Sequence, residues 1–174
     1  YLLLEMYLVE SGVVADRFID TLVQAAERGV QVYLLFYDYG ARQLNRGDRE
    51  RLDQDNIRSL YYNPLQSHSI LPNLYRIFWQ RIHLGLHRNH RKLLLVDGRV
   101  AFVGGAGIID EIDSPQSPEL RWRENMIEIH GPVLEDWQSL FTESWNRLST
   151  QPLTLPGVTA EYFENGQSGR VTVN

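Results

Sequence analysis

"HRKLLLVDGRVAFVGG", residues 90–105, holds two apolar runs joined at Asp97-Gly98. An Asp-Gly pair between two such runs signals a two-residue β-hairpin, because both turn positions need φ > 0 and these residues tolerate it best. The two runs are therefore expected to be antiparallel neighbours. Upstream the pattern changes. "YLLLEMYLV", residues 1–9, reads as a mostly buried strand. "VADRFIDTLVQAAERG" then carries apolar residues at Phe18, Ile19, Leu22, Val23, Ala25 and Ala26 and stops at Gly29, which predicts a helix. "VQVYLLFYD" follows as a second strand rich in β-branched and aromatic side chains. Strand, helix of about sixteen residues and strand make a βαβ unit, which favours parallel pairing. Joined to a hairpin, it predicts an α/β protein with a mixed sheet.

The rest of the chain supplies further elements. "ARQLNRGDRERLDQDNI" is strongly charged and reads as a solvated helix or helix–loop; "IRSLYYNPL" reads as a short strand closed by Asn63-Pro64. "SPQSP" at 114–118 marks an exposed loop, and "ENMIEIHG" alternates like a strand. "PVLEDWQSLFTESWNRL" has the pattern of an amphipathic helix, with Pro132 near its first turn. Residues 1–150 are thus expected to form one domain. The Pro-, Gly- and Ser-rich remainder, 151–174, reads as a linker whose last residues, "GRVTVN", begin another strand. Together with an opening at Tyr1 inside an apolar run, this suggests a fragment of a longer protein.

Composition narrows the function classes. With 174 residues, 43% of them apolar, the chain is long enough for one real core, and no apolar run is long enough to cross a membrane. No cysteine is present, so disulfides and Cys-ligated zinc are excluded. A net charge of −5 argues against a protein built to coat nucleic acid, which is not expected as a partner.

Against that background Lys92 stands out. It is the one lysine among 17 basic residues, the others all being arginine. On a strand it shares a face with His90, two residues earlier, because side chains alternate. The apolar run that follows places this strand inside the sheet, where an ammonium needs a carboxylate or a bound anion beside it. Lys offers a compact point charge suited to one phosphate oxygen, where Arg offers a broad fork. His90 is then a candidate nucleophile or proton carrier aimed at the same phosphorus. Gly104 and Gly105, at the end of the next strand, would let backbone N–H groups approach phosphate oxygens closely.

The full spacing is His-x-Lys, four residues, Asp, six residues, Gly-Gly: His90, Lys92, Asp97, Gly104 and Gly105. It resembles the HKD signature of the phospholipase D superfamily. "RNHRKLLLVDGRVAFVGGAGIIDE", "WRENMIEIHGPVLEDWQSLFTESW" and "AAERGVQVYLLFYDYG" resemble the cardiolipin synthase branch in particular, so the likeness covers nearly all of residues 1–150. It implies an α-β-α sandwich, a mixed sheet flanked by helices on both faces. It also implies a two-step phosphodiester exchange without metal or other cofactor. His90 would attack the phosphorus of an anionic phospholipid and form a phosphohistidine, and a second alcohol would then displace it. With phosphatidylglycerol as donor and acceptor the products are cardiolipin and glycerol; water as acceptor gives hydrolysis. The resemblance gives Lys92 the non-bridging oxygens, makes Asp97 a mainly structural partner, and assigns Glu124, in "WRE", to hold the imidazole. It places the protein at a membrane surface, on the cytoplasmic side.

Two departures bear on that reading. The family commonly has Asn two residues after the glycine pair, and this chain has Gly107, where a backbone N–H would have to contact phosphate instead. The superfamily site also needs two HKD motifs and this chain has one. Its partner is expected to be a C-terminal HKD half or a second copy of the chain. A homodimeric phosphodiesterase or nuclease of the same fold, and a non-catalytic phosphate-binding domain, are the competing readings.

Other constellations carry less. His83, His87 and His90 have spacing compatible with a metal site, but Gly85 and the following strand break the helix it would need, and no acidic residue lies in the run. "LPNLYRIFWQRIHLGL" fits a core helix better than a membrane-surface one. Trp137 and Trp145 are expected in the core, and Tyr37 and Tyr39 at a strand end, bordering the pocket.

Overall fold

The computed structural model describes residues 1–62, 90–112, 123–159, 164–167, 169 and 171. Among these residues six strands form one sheet in the order β3-β2-β1-β4-β5-β6: β1 (Leu2–Met6), β2 (Val32–Tyr37), β3 (Ile57–Tyr62), β4 (Lys92–Val96), β5 (Val100–Gly104) and β6 (Met126–Ile129). Strands β1, β2 and β3 are parallel, and every pair from β1–β4 outward to β5–β6 is antiparallel. The mixed sheet is therefore a parallel half and an antiparallel half that meet at β1 and β4.

The strands read as near-continuous apolar runs because both faces of the sheet are covered. On one face Leu4, Met6, Leu34 and Phe36 pack under helix α1 (Val13–Glu27) and the short helix α2 (Arg46–Arg51). Helix α1 presents Ala15, Ile19, Leu22 and Ala26 to them, a helical stripe, and its end is followed by Gly29 at φ 91. Its N-terminus is capped from far along the chain: the Asp110 carboxylate accepts from the N–H groups of Val13 (3.1 Å) and Val14 (2.9 Å). On the opposite face Leu3, Leu35, Leu93 and Leu95 pack against helix α3 (Leu134–Leu148) through Leu134, Phe141 and Trp145. Trp137 lies at the margin of that cluster, so both tryptophans serve the core.

The charged segment after β2 is less solvated than its composition suggests. Asp48 is buried, and Arg51 binds Asp48, Asp16 and Asp20 at once, which ties α2 to α1. The segment from residue 151 onward is docked at its start. Leu153 is buried against α3, its N–H donates to Asn146 Oδ1 (2.7 Å), and Gln138 holds the Pro156 carbonyl (2.9 Å). Proline here follows the helix without freeing the chain, because two apolar side chains, Leu153 and Leu155, still find the α3 cluster. The "LPNLYRIFWQRIHLGL" and "SPQSP" segments lie outside the described residues.

The hairpin turn is as the sequence indicates. Asp97 and Gly98 both have positive φ, 52° and 61°, and the Arg99 N–H closes the loop on the Val96 carbonyl at 3.0 Å. A Cβ on Gly98 would also stand 2.7 Å from the Tyr1 hydroxyl oxygen. Gly98→Ala is expected to destabilise the domain by about 1–2 kcal/mol in urea denaturation, through left-handed backbone and crowding together.

Candidate active site

The site is assembled where the C-terminal ends of the parallel strands meet the start of β4. His90 lies two residues before that strand, exposed, and its ring stacks on Tyr7, just past the end of β1: the centroids are 4.1 Å apart and the planes 19° from parallel. Lys92 Nζ sits 5.9 Å from the centre of the same Tyr7 ring and donates to the His90 carbonyl at 3.0 Å. The two residues paired by sequence spacing are thus gathered around one aromatic side chain. Among the described residues neither ring nitrogen of His90 has a hydrogen-bond partner.

Lys92 is half-buried, and burial pulls its pKa below the ordinary lysine value; the charge of Glu124 works in the opposite direction. Glu124 therefore acts on Lys92 electrostatically, while no hydrogen bond joins it to His90. Its position depends on Gly105. A Cβ there would stand 1.9 Å from Glu124 Oε2, so the missing side chain makes the space the carboxylate occupies.

At each of these glycines another part of the protein comes close. A Cβ on Gly104 would stand 2.1 Å from the Asn125 carbonyl oxygen, so this glycine allows β6 to close on β5. The N–H of Gly105 is spent on that same carbonyl, at 3.2 Å. Gly107 packs against Leu8, in a segment that continues into backbone bonds between Ile108 and both Leu8 and Glu10. Asp97 is at the far end of β4, five residues or about 17 Å beyond Lys92, in the hairpin turn, where its N–H donates to the Tyr1 carbonyl at 2.9 Å. It is a turn residue here and stands apart from His90.

Sequence reasoning missed a buried polar group behind the site. Glu5, inside the apolar run of β1, is 0% exposed. Its Oε1 accepts from Arg91 (3.1 Å) and from the Tyr37 hydroxyl (3.1 Å), and Arg91 also donates to Ser144 of α3 (2.6 Å). Arg91 lies between His90 and Lys92 in the chain, so this network anchors the backbone that carries both. The one signal available was a lone acidic residue in an otherwise apolar strand. Tyr37 belongs to the surroundings of the site, as expected, its ring 5.7 Å from Tyr7, whereas Tyr39 is largely exposed. His83 and His87 lie outside the described residues, and no cluster of metal-ligating side chains occurs among those described.

Comparison with known proteins identifies this α/β domain as phospholipase D-like. Residues 1–145 match the family described as "Cardiolipin synthase, PLD-like domain", and the chain belongs to that family. It is 27% identical over 153 residues to the probable cardiolipin synthase YwiE of Bacillus subtilis, covering 88% of this chain and 28% of that protein. It is 29% identical over 171 residues to cardiolipin synthase 2 of Staphylococcus epidermidis, covering 97% of this chain and 32% of that one. The chain thus spans about a third or less of the relatives it matches. Among solved structures it resembles Nuc, a phospholipase D family member from Salmonella typhimurium (TM-score 0.52, 16% identity, 85% of this chain and 79% of that one). It also resembles NucT from Helicobacter pylori (TM-score 0.57, 12% identity, 84% and 79%).

Two measurements check the electrostatics. Because Lys92 is the only lysine of these residues, side-chain 15N-lysine labelling of the chain gives one signal; its midpoint is expected below 10.5 and lower still in Glu124→Gln. Gly105→Ala should reproduce that drop by displacing Glu124, at a stability cost of about 1 kcal/mol or less, since the carboxylate is exposed and can swing away.

Burial also raises the pKa of Glu5, and this outweighs the opposing pull of Arg91 and the Tyr37 hydrogen bond. A carboxyl whose folded value is raised favours the fold below its unfolded value, and that contribution is lost as pH rises through the folded value. Chemical denaturation from pH 4.5 upward should show this loss, and Glu5→Gln should abolish that component.

Proposed function

We propose that this domain is the nucleophile-bearing part of a phospholipase D-type phosphatidyltransferase that exchanges the alcohol of an anionic phospholipid, with cardiolipin formed from phosphatidylglycerol as the favoured reaction. The observation that carries this reading is the meeting of His90 and Lys92 around Tyr7, in a chain that belongs to the cardiolipin synthase PLD-like family. His90 attacks phosphorus and the P–O bond to the first alcohol breaks; Lys92 holds a non-bridging oxygen as its charge grows; the second alcohol then reverses the step. Glu124 acts in this scheme by keeping Lys92 charged. Gly104 and Gly105 shape the site and take no direct part in binding phosphate, while Asp97 keeps the hairpin.

The leaving alcohol needs a proton, and a second HKD motif is its source. Residues 1–150 are read as one motif-bearing domain. The remainder, 151–174, is read as leading toward a second, so that the partner is a downstream half in the same protein. The reaction is placed at a membrane surface, on the cytoplasmic side; among the described residues no helix is long and apolar enough to cross one.

One observation favours a second reading. The match covers 79% of the Nuc and NucT chains, so a domain of about this size is most of each of those chains. That supports a single-motif phosphodiesterase made from two copies of the chain, and nucleic acid then belongs among the substrates tested.

The experiment is to assay the complete protein on phosphatidylglycerol vesicles and on single- and double-stranded DNA, with light scattering to establish its mass. Cardiolipin and glycerol in equal amounts, a monomeric mass and a loss of at least about a thousandfold in His90→Asn are expected. DNA cleavage by a dimer without lipid turnover would establish the second reading. Full turnover in His90→Asn would remove His90 as nucleophile under either.

A further inference from the structure

Four rings form a row across four neighbouring strands. Tyr62 of β3 lies 5.1 Å from Tyr37 of β2, Tyr37 lies 5.7 Å from Tyr7 beyond β1, and Tyr7 lies 4.1 Å from His90 before β4. The first two contacts are tilted, at 44° and 45°; only the last is nearly parallel, at 19°. The row is fastened from behind. Tyr37 donates its hydroxyl to buried Glu5, and Glu5 holds Arg91, the residue after His90. The path from His90 through Arg91, Glu5, Tyr37 and Tyr7 returns to His90, a closed circuit that fixes the imidazole face on the phenol face.

A stacked phenol face accommodates a neutral imidazole and becomes a better partner when that imidazole turns cationic, because the negative face of the phenol then meets positive charge. Resting on the reaction read above, we propose that Tyr7 is a catalytic residue of the phosphoryl-transfer step, stabilising through its ring face the positive charge that develops on the His90 imidazole as nitrogen bonds to phosphorus. The step balances as follows. The free nitrogen of neutral His90 supplies its lone pair to form N–P, the other nitrogen keeps its proton, and the ring becomes cationic. The P–O bond breaks with its electron pair on the leaving alcohol oxygen, which takes a proton from the histidinium of the second motif. Charge on the imidazole is greater in the transition state than before it, so a contact that favours charge accelerates the step.

The test replaces Tyr7 in the full-length protein by Phe and then by Phe carrying one, two and three ring fluorines, which withdraw density from the ring face with little change in shape. Phosphorylation of His90 is read by mass spectrometry with His90→Asn as blank. Two donors are used: phosphoramidate, a small reagent that transfers phosphate with release of ammonia, and phosphatidylglycerol vesicles. The expected result is that Tyr7→Phe keeps most of the rate and that fluorination lowers it stepwise, roughly tenfold over the series, with both donors and without a change in melting temperature. A rate with phosphoramidate that is flat across the series would overturn the proposal, as would a loss in Tyr7→Phe equal to that in the trifluoro variant, which would put the effect in the hydroxyl. A stepwise fall with phosphoramidate and no phosphoenzyme from vesicles would leave Tyr7 its role and reject the lipid as donor.

Discussion

Everything at the site hangs from the contact between Arg91 and Glu5. The guanidinium comes from the residue before β4, its side chain 18% exposed, and the carboxylate from the centre of β1, wholly buried. Burying both groups is expensive, and the raised pKa of Glu5 is the visible sign of that cost. Removing either partner of such a pair typically costs about 3–5 kcal/mol, because the other is left buried and unpaired. The return is positional. β1 and β4 run antiparallel at the junction of the two halves of the sheet, and Arg91 adds a third tie, to Ser144 of α3. His90 and Lys92 flank the residue so held, and neither needs a strong hydrogen bond of its own to stay in place.

The same economy explains why one position is lysine. Arginine serves wherever this chain needs a clamp between elements: Arg51 between α1 and α2, Arg49 on the carbonyls of Leu44 and Ala41, Arg91 between β1, β4 and α3. Each uses the planar fork to satisfy several acceptors together. Among the described residues Lys92 makes one local bond, to the carbonyl of His90, and otherwise feels the field of Glu124. A group with donors to spare and a burial penalty on its charge is suited to an anionic visitor that would relieve the penalty.

Much of this was legible in the sequence, and what was not has a common cause. The hairpin announced itself because Asp97-Gly98 is a purely local requirement for positive φ, and α1 because Ile19, Leu22 and Ala26 recur at helical spacing. His90 and Lys92 were found because strand alternation places i and i+2 together. Glu5 was passed over as one polar letter in a strand, since its partner lies 86 residues away and only the β1–β4 pairing brings them together. Tyr7 went unnoticed for the same reason. Gly104 and Gly105 were correctly marked as places of close approach, but the approaching groups are Asn125 and Glu124, on a strand whose register the sequence does not state. The tail after Ser149 has a linker's composition, yet Leu153 is enough to dock it.

The placement of β4 has a consequence for how the domain opens. Strands inside a sheet, laced on both sides, belong to the last cooperative unit to open, while edges and termini breathe at far lower free energy. β4 is bonded to β1 on one side and β5 on the other and carries buried Leu93 and Leu95. The backbone that runs on from His90 is therefore among the most persistent of the described parts. Fraying at β6, which follows Glu124 and is the outermost strand on that side among the described residues, can detune Lys92 while the Arg91 anchor stays intact. Partial opening of this domain is then graded in its effect, altering the electrostatics of the site well before its geometry.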